Sequence, residues 1–190
     1  MPAIGVHRIT LDDTLLPLNT VLRHANGDPI DLSAYTVKFA MEKSDGTSEL
    51  AATTTGVTAH PTQTFTASTT TELMTCNGHG VEHGDQIIVA SSGTLPTGLT
   101  ASTRYFAVQV NPNTFALATL PDGPPIDITG AGSGTHTFYI VGSVQMDFAA
   151  ANVDTAGTYY GWFTLTSGSE LKTLPEGDRW YEIRIIEKGN

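Results

Sequence analysis

Asp154-Thr155-Ala156-Gly157-Thr158-Tyr159-Tyr160-Gly161-Trp162-Phe163-Thr164-Leu165-Thr166 joins a chain-reversal signal to the most aromatic strand in the sequence. An acidic residue, a small turn and a tyrosine leading into a β-run put Tyr159 where its phenol bonds back to upstream backbone at a corner between two sheets. Beyond the corner, Tyr159, Gly161, Phe163 and Leu165 alternate with Tyr160, Trp162, Thr164 and Thr166, so both faces of the strand carry large rings. Such a strand is central or faces a partner. Tyr160 and Trp162 are opposite in parity to Phe163, and with Trp180 they are the interface candidates, because Trp and Tyr are enriched at subunit contacts.

Working outward, the chain reads as strands and turns throughout. Ile4 to Leu11 is expected to form a first strand, and Leu15-Leu16-Pro17-Leu18 an edge strand with Pro17 at a bulge. Asn26-Gly27-Asp28-Pro29 is a turn signal. Tyr35, Val37, Phe39 and Met41 then alternate with Thr36, Lys38, Ala40 and Glu42, the pattern of a half-buried strand. A weaker strand follows Ser44-Asp45-Gly46-Thr47, through Glu49 to Thr53. On the far side, Val144, Met146 and Phe148 point inward, Ala149 to Val153 suits one helical turn, and the corner follows. A Thr166–Ser169 hairpin turn, a short strand, Leu174-Pro175-Glu176-Gly177 and a last strand from Arg179 to Ile186 complete the set.

Between about Pro61 and Phe138 the character changes, for the stretch is rich in Thr, Ser and Gly and holds Arg104 as its only Lys or Arg. Short strands are expected at 64–67, 73–76, 86–90, 104–110, 114–117, 126–128 and 135–140, separated by Gly, Pro and Asn turns. The fold class is therefore all-β. An immunoglobulin-like sandwich, residues 1–60 plus 139–190, is interrupted by a second small β-barrel or sandwich over 61–138.

Composition narrows the function. Nine basic residues against nineteen acidic ones give a net charge of −10 over 190 residues, and no Lys/Arg cluster offers the electrostatic footprint that nucleic acid requires. The acidity serves solubility and self-repulsion before assembly. Cys76 is the only cysteine, which excludes an intrachain disulfide and a cysteine-rich metal site. No run approaches the roughly 18 apolar residues of a membrane helix, and the N-terminus lacks an apolar leader core, so synthesis in a cytoplasm is expected.

No catalytic constellation stands out. His79-Gly80-Val81-Glu82-His83 matches the H-x-x-E-H pattern of zinc peptidases, which needs a helix to bring both histidines to one side. Gly78, Gly80 and Gly84 oppose a helix at about 0.8–1.0 kcal/mol each, so a surface turn with both histidines bonded to backbone is expected. Gly130-Ala131-Gly132-Ser133-Gly134-Thr135 lacks the lysine of a phosphate loop and reads as a turn. Most carboxylates fall in predicted turns, where Asp mimics backbone. The expectation is a protein that is not an enzyme and carries no catalytic residue, cofactor or metal.

Asn26-Gly27-Asp28-Pro29-Ile30-Asp31-Leu32-Ser33 leading into Tyr35 to Phe39, then Asp154 to Tyr159 and Thr173-Leu174-Pro175-Glu176-Gly177, resembles the immunoglobulin-like N-terminal domain of upper baseplate and related tail proteins of tailed bacteriophages. The insert resembles a small β module that recurs in phage structural and tail proteins. It does so at Gly78-His79-Gly80, His83-Gly84-Asp85, Ser92 to Leu99, Arg104-Tyr105-Phe106 and Asn113 to Ala118. The long helical and receptor-holder-docking parts that follow this domain in upper baseplate proteins have no counterpart before Asn190. The resemblance implies a virion structural protein, an adaptor or decoration subunit at the neck, tail or baseplate. It would be made in the host cytoplasm and would bind other virion proteins as a homo-oligomer in a symmetric ring, with neither nucleic acid nor membrane as partner. The alternatives are a glycan or host-surface binding module and, more distantly, a cell-wall polymer hydrolase.

Overall fold

The computed structural model describes residues 6–175 and 180–187. In chain order the strands are β1 (Val6–Thr10), β2 (Leu18–Val21), β3 (Thr36–Lys43), β4 (Ser48–Thr53), β5 (Val57–Ala59), β6 (Gln63–Ala67), β7 (Met74–Thr75) and β8 (Gln86–Ser91). They continue with β9 (Arg104–Asn111), β10 (Thr114–Ala118), β11 (His136–Ile140), β12 (Ser143–Met146), β13 (Gly157–Ser167), β14 (Glu170–Leu174) and β15 (Tyr181–Ile186). The chain is all-β, with short 3-10 turns at Leu32–Ala34 and Ala150–Asn152. Among the described residues, no helix is long and apolar enough to cross a membrane. Contacts divide the chain into Met1–Ala59 with Gly142–Asn190, and His60–Val141, against sequence-based boundaries at 60/61 and 138/139.

The first unit is a sandwich. One sheet runs β1-β15-β13-β3-β4, with β14 also paired to β13, and the other runs β2-β12-β5. β1 lies parallel to the last strand, β15, while the other pairings of this unit are antiparallel. β13 is the organising strand because it pairs with β3 along one edge and with β14 and then β15 along the other. Its alternation sends Tyr159, Gly161, Phe163 and Leu165 inward, where each is buried, and leaves Tyr160, Trp162, Thr164 and Thr166 half-buried on the outer face.

The inner face explains Gly161. It sits opposite Met41 on β3, and a Cβ placed there would come within 2.5 Å of Phe39 Cζ and 3.0 Å of Ile183 Cδ1. Phe39 lies 5.0 Å from Phe163 and 5.9 Å from Phe148, ring centre to ring centre, while Phe163 lies 5.7 Å edge-on to Tyr181. These rings join Ile9, Leu18, Leu22, Val37, Met41, Val144 and Met146 in one core that spans both sheets. Full burial of each such side chain contributes about 1.5–3 kcal/mol. Tyr159 closes the corner, for its hydroxyl donates to Thr155 O at 2.7 Å while its ring is 1% exposed.

Several local expectations are corrected. Leu15-Leu16-Pro17 is not an edge strand: Asp13 Oδ1 accepts from Leu15 N–H, Leu15 is 86% exposed, and pairing begins only at Leu18, past the proline. β5 carries no strong sequence signal, yet Val57 to Ala59 pair with Met146 to Val144. Residues 126–128 are not a strand, although Ile128 is buried and Ile126 N–H donates to Leu117 O. The Glu176-Gly177 end of the predicted Leu174–Gly177 approach and the Arg179 start of the predicted last strand lie outside the described residues.

The second unit is a closed six-stranded barrel in the order β10-β7-β6-β11-β8-β9. A barrel this small is filled by side chains. Phe65, Met74, Ile87, Val89, Phe115, Leu117 and Phe138 are buried, and Phe115 packs edge-on to Phe138 at 5.1 Å. The glycine-rich run is a strap, bonded through Thr97 N–H to Gly130 O, Ser133 N–H to Thr94 O and Ser92 N–H to Thr135 O. Gly132 allows this approach, having φ +74° and no room for a Cβ beside Thr94 O.

Gly161→Ala destabilises by about 1–3 kcal/mol, measured by urea unfolding, because the core has no slack for the methyl. Tyr159→Phe costs about 1 kcal/mol at neutral pH by removing the corner bond. Burial pushes the Tyr159 and Tyr181 phenols above 10, and hydrogen bonding to Glu49 raises the Lys43 ammonium. A group whose folded pKa is raised contributes stability below its unfolded pKa and loses it as pH rises through the folded one. Stability is therefore expected to fall above about pH 10, and less steeply in Tyr159→Phe, where the Tyr159 contribution to the loss is absent.

Candidate functional site: an aromatic sheet face between carboxylates

The alternation that buries Phe163 sets Tyr160 and Trp162 on the outer face of the larger sheet. Tyr160 stands opposite Glu42 on β3 and opposite Glu182 on β15. Neighbouring strands lie about 4.8 Å apart, so the two carboxylate-bearing backbones flank the tyrosine at a separation of about 10 Å. The Tyr160 and Trp180 rings meet at 5.8 Å with 42° between their planes. Trp162 stands opposite Ala40, which is only 4% exposed although its parity directs it outward, so the indole covers it.

The charges around these rings are arranged unevenly. Arg184 Nε donates to Glu182 Oε1 two residues along β15. Lys43 has the other parity and pairs with Glu49 at 3.3 Å, while Lys38 stands opposite Thr164, two rows from Tyr160. Exposed apolar groups extend the face, with Val6 opposite Glu182 and Leu171 opposite Thr166. Stacking surfaces with carboxylate acceptors beside them suit recognition of a flat or cationic group.

The histidines of the H-x-x-E-H match do not converge. His79 is 2% exposed; its Nδ1 accepts from Val81 N–H at 2.9 Å, which leaves the proton of the neutral ring on Nε2, and the ring packs edge-on to Phe115 at 5.0 Å. His83 is exposed and bonds Asp122 Oδ1 at 2.7 Å, while the Asp85 carboxylate accepts from Glu82 N–H. Of the expected surface turn with two backbone-bonded histidines, His79 keeps the backbone bond but lies in the barrel interior, and His83 stays at the surface but pairs with a side chain. Among the described residues, no three or more His, Cys, Asp or Glu side chains gather as metal ligands would.

A concavity of about 690 Å³ opens on the barrel beside β6 and β7, lined by Thr64, Thr66, Thr75, Cys76, Asn77, Thr135 and His136 among others. Its histidine is held in the strap, with Nε2–H donating to Ala131 O at 3.0 Å and Nδ1 3.0 Å from Ser91 Oγ. The Cys76 thiol donates to Gln63 Oε1 at 3.3 Å, and burial pushes its pKa up, away from the reactive thiolate.

Of the three interface candidates, the structure brings Tyr160 and Trp180 into ring contact and sets Trp162 one row along on the same face. Sequence reasoning missed Glu42 and Glu182 as their neighbours. Glu42 already had outward parity in the alternation of β3, but the register that sets it beside Tyr160 is a tertiary fact.

The two histidines are expected to differ in cost. His79→Ala destabilises by about 2–4 kcal/mol, because it empties a buried site and strands the Val81 N–H, whereas His83→Ala stays within about 0.5 kcal/mol; thermal unfolding of both variants measures the contrast. Comparison of the chain with protein-family models, with curated proteins and with solved structures finds no match.

Proposed function

We propose that this chain is a virion structural protein of a tailed phage, an adaptor or decoration subunit at the neck, tail or baseplate that works by protein–protein docking. The observation that carries this reading is the outer face of the larger sheet, where Tyr160 and Trp162 on β13, and Trp180 just before β15, are half-buried beside strands whose other side is a packed core. A rigid sheet presenting aromatic side chains matches the composition of interface centres. The resemblance to upper baseplate and tail proteins adds the setting. Its Asn26–Asp28 turn is a built feature, with Asp28 N–H donating to Asn26 Oδ1 and Asn26 Nδ2 to Asp28 Oδ2. Repetition around a symmetric ring supplies many copies of one contact, and the acidity keeps subunits apart until they assemble.

Mass spectrometry of purified virions is expected to find the chain at a fixed copy number, and its absence from particles overturns the reading. The double variant Tyr160→Ala, Trp162→Ala is expected to fold, judged by circular dichroism, and to be lost from particles.

The barrel concavity favours a second reading, a glycan-binding module, because hydroxyl and amide side chains line it. Glycan-array binding by the full chain, lost in Asn77→Ala, would favour that reading over docking.

A further inference from the structure

The two carboxylates beside Tyr160 occupy equivalent positions but have different partners. β3 and β15 each run antiparallel to β13, so they run in the same direction on either side of it. On β15, Glu182 receives a guanidinium from Arg184, two residues further on. Two residues on from Glu42, β3 has ended and the turn residue Ser44 brings no charge. Among the described residues the Glu42 side chain makes no hydrogen bond or ion pair. Lys38 is four residues back along the strand, about 13 Å away; Lys43 faces the other way to Glu49, and Arg8 is three strands distant on β1.

One half of this face is thus an internally satisfied carboxylate–guanidinium pair beside Tyr160, and the other half has the carboxylate and the same ring but lacks the cation. An arginine suits the vacancy for two reasons. Its planar fork pairs a carboxylate in two bonds, and its flat face stacks on an aromatic ring while the edge bonds the acid. The chain's net charge of −10 makes a basic partner complementary and a second copy of itself a poor one.

We propose that Glu42 and the Tyr160 ring, with Trp180 behind it, form a receiving site for an arginine side chain of a different, basic protein that docks on this face. The inference rests on the docking function proposed above and names the chemistry of its partner.

The full chain titrated with N-acetyl-arginine methylamide, read by tryptophan fluorescence, is expected to saturate with a dissociation constant on the order of millimolar. The citrulline analogue, of the same shape without the charge, is expected to bind about tenfold more weakly, and so is the arginine compound to Glu42→Gln. Glu42→Arg, which fills the vacancy from within, is expected to abolish the response, while Lys38→Gln, outside the site, retains it. Circular dichroism confirms that each variant is folded. Equal binding of the arginine and citrulline compounds, or an unchanged response in Glu42→Gln, overturns the proposal. So does self-association by sedimentation equilibrium that Glu42→Gln abolishes, since the occupant is then a second copy. Arginine selectivity in a chain missing from virions overturns the virion setting alone, and its absence in a chain found in virions overturns this inference alone.

Discussion

The Phe39 ring lying over Gly161 is the contact on which the sandwich depends. A phenyl group at the centre of β3 claims the space that a side chain on β13 would otherwise fill, and glycine is the residue that yields it. The exchange costs strand propensity, since glycine packs nothing of its own. It brings Phe39 against Phe163 and Phe148 in a network of rings that ties β3, β13 and the segment after β12 together. It also has an outward effect. With the inner side of β13 fixed in register by that ring, the side chains at 160 and 162 have no route into the core and must line the outer face.

How much of this was legible depended on whether a signal was local. The Tyr159 corner is local, spanning Thr155 to Tyr159, and the sequence contains both halves of the hydrogen bond. The alternation of β3 and β13 is local too, because burial repeats every second residue. The strands that escaped notice are short ones whose stability comes from pairing: β5 is three residues long and is held by β12, which lies on the far side of the insert. Residues 126–128 failed in the opposite sense, since a buried isoleucine between prolines and a glycine run looks like a strand but only fills a loop. The candidate face was half legible. Parity identified Tyr160 and Trp162 as outward, whereas the placement of Glu42 and Glu182 on either side of Tyr160 needs two inter-strand registers that no single stretch encodes.

The charge pattern of that face makes physical sense as a recognition surface on an acidic protein. Exposed ion pairs such as Arg184 with Glu182 stabilise little, so their value lies in fixing where side chains point. A half-buried carboxylate next to a ring is more selective than either group alone, for the ring excludes water from one side of the charge and favours planar cations over anions.

The way the barrel is attached has a consequence for how the chain comes together. In the sandwich, Ala59 pairs directly with Val144, so the strands that lead into and out of the insert already form the two arms of a hairpin. In the barrel, the first and last strands pair with each other, Gln63 with Phe138, so its own ends emerge side by side. For the unfolded chain, joining β5 to β12 means closing a very long loop, with the entropy that such closure costs. Once the barrel has formed, the same junction is as short as an ordinary turn. The insert therefore acts on the sandwich as a folded clasp, converting its most distant strand pairing into a nearly local one and lowering the effective contact order of the domain it interrupts.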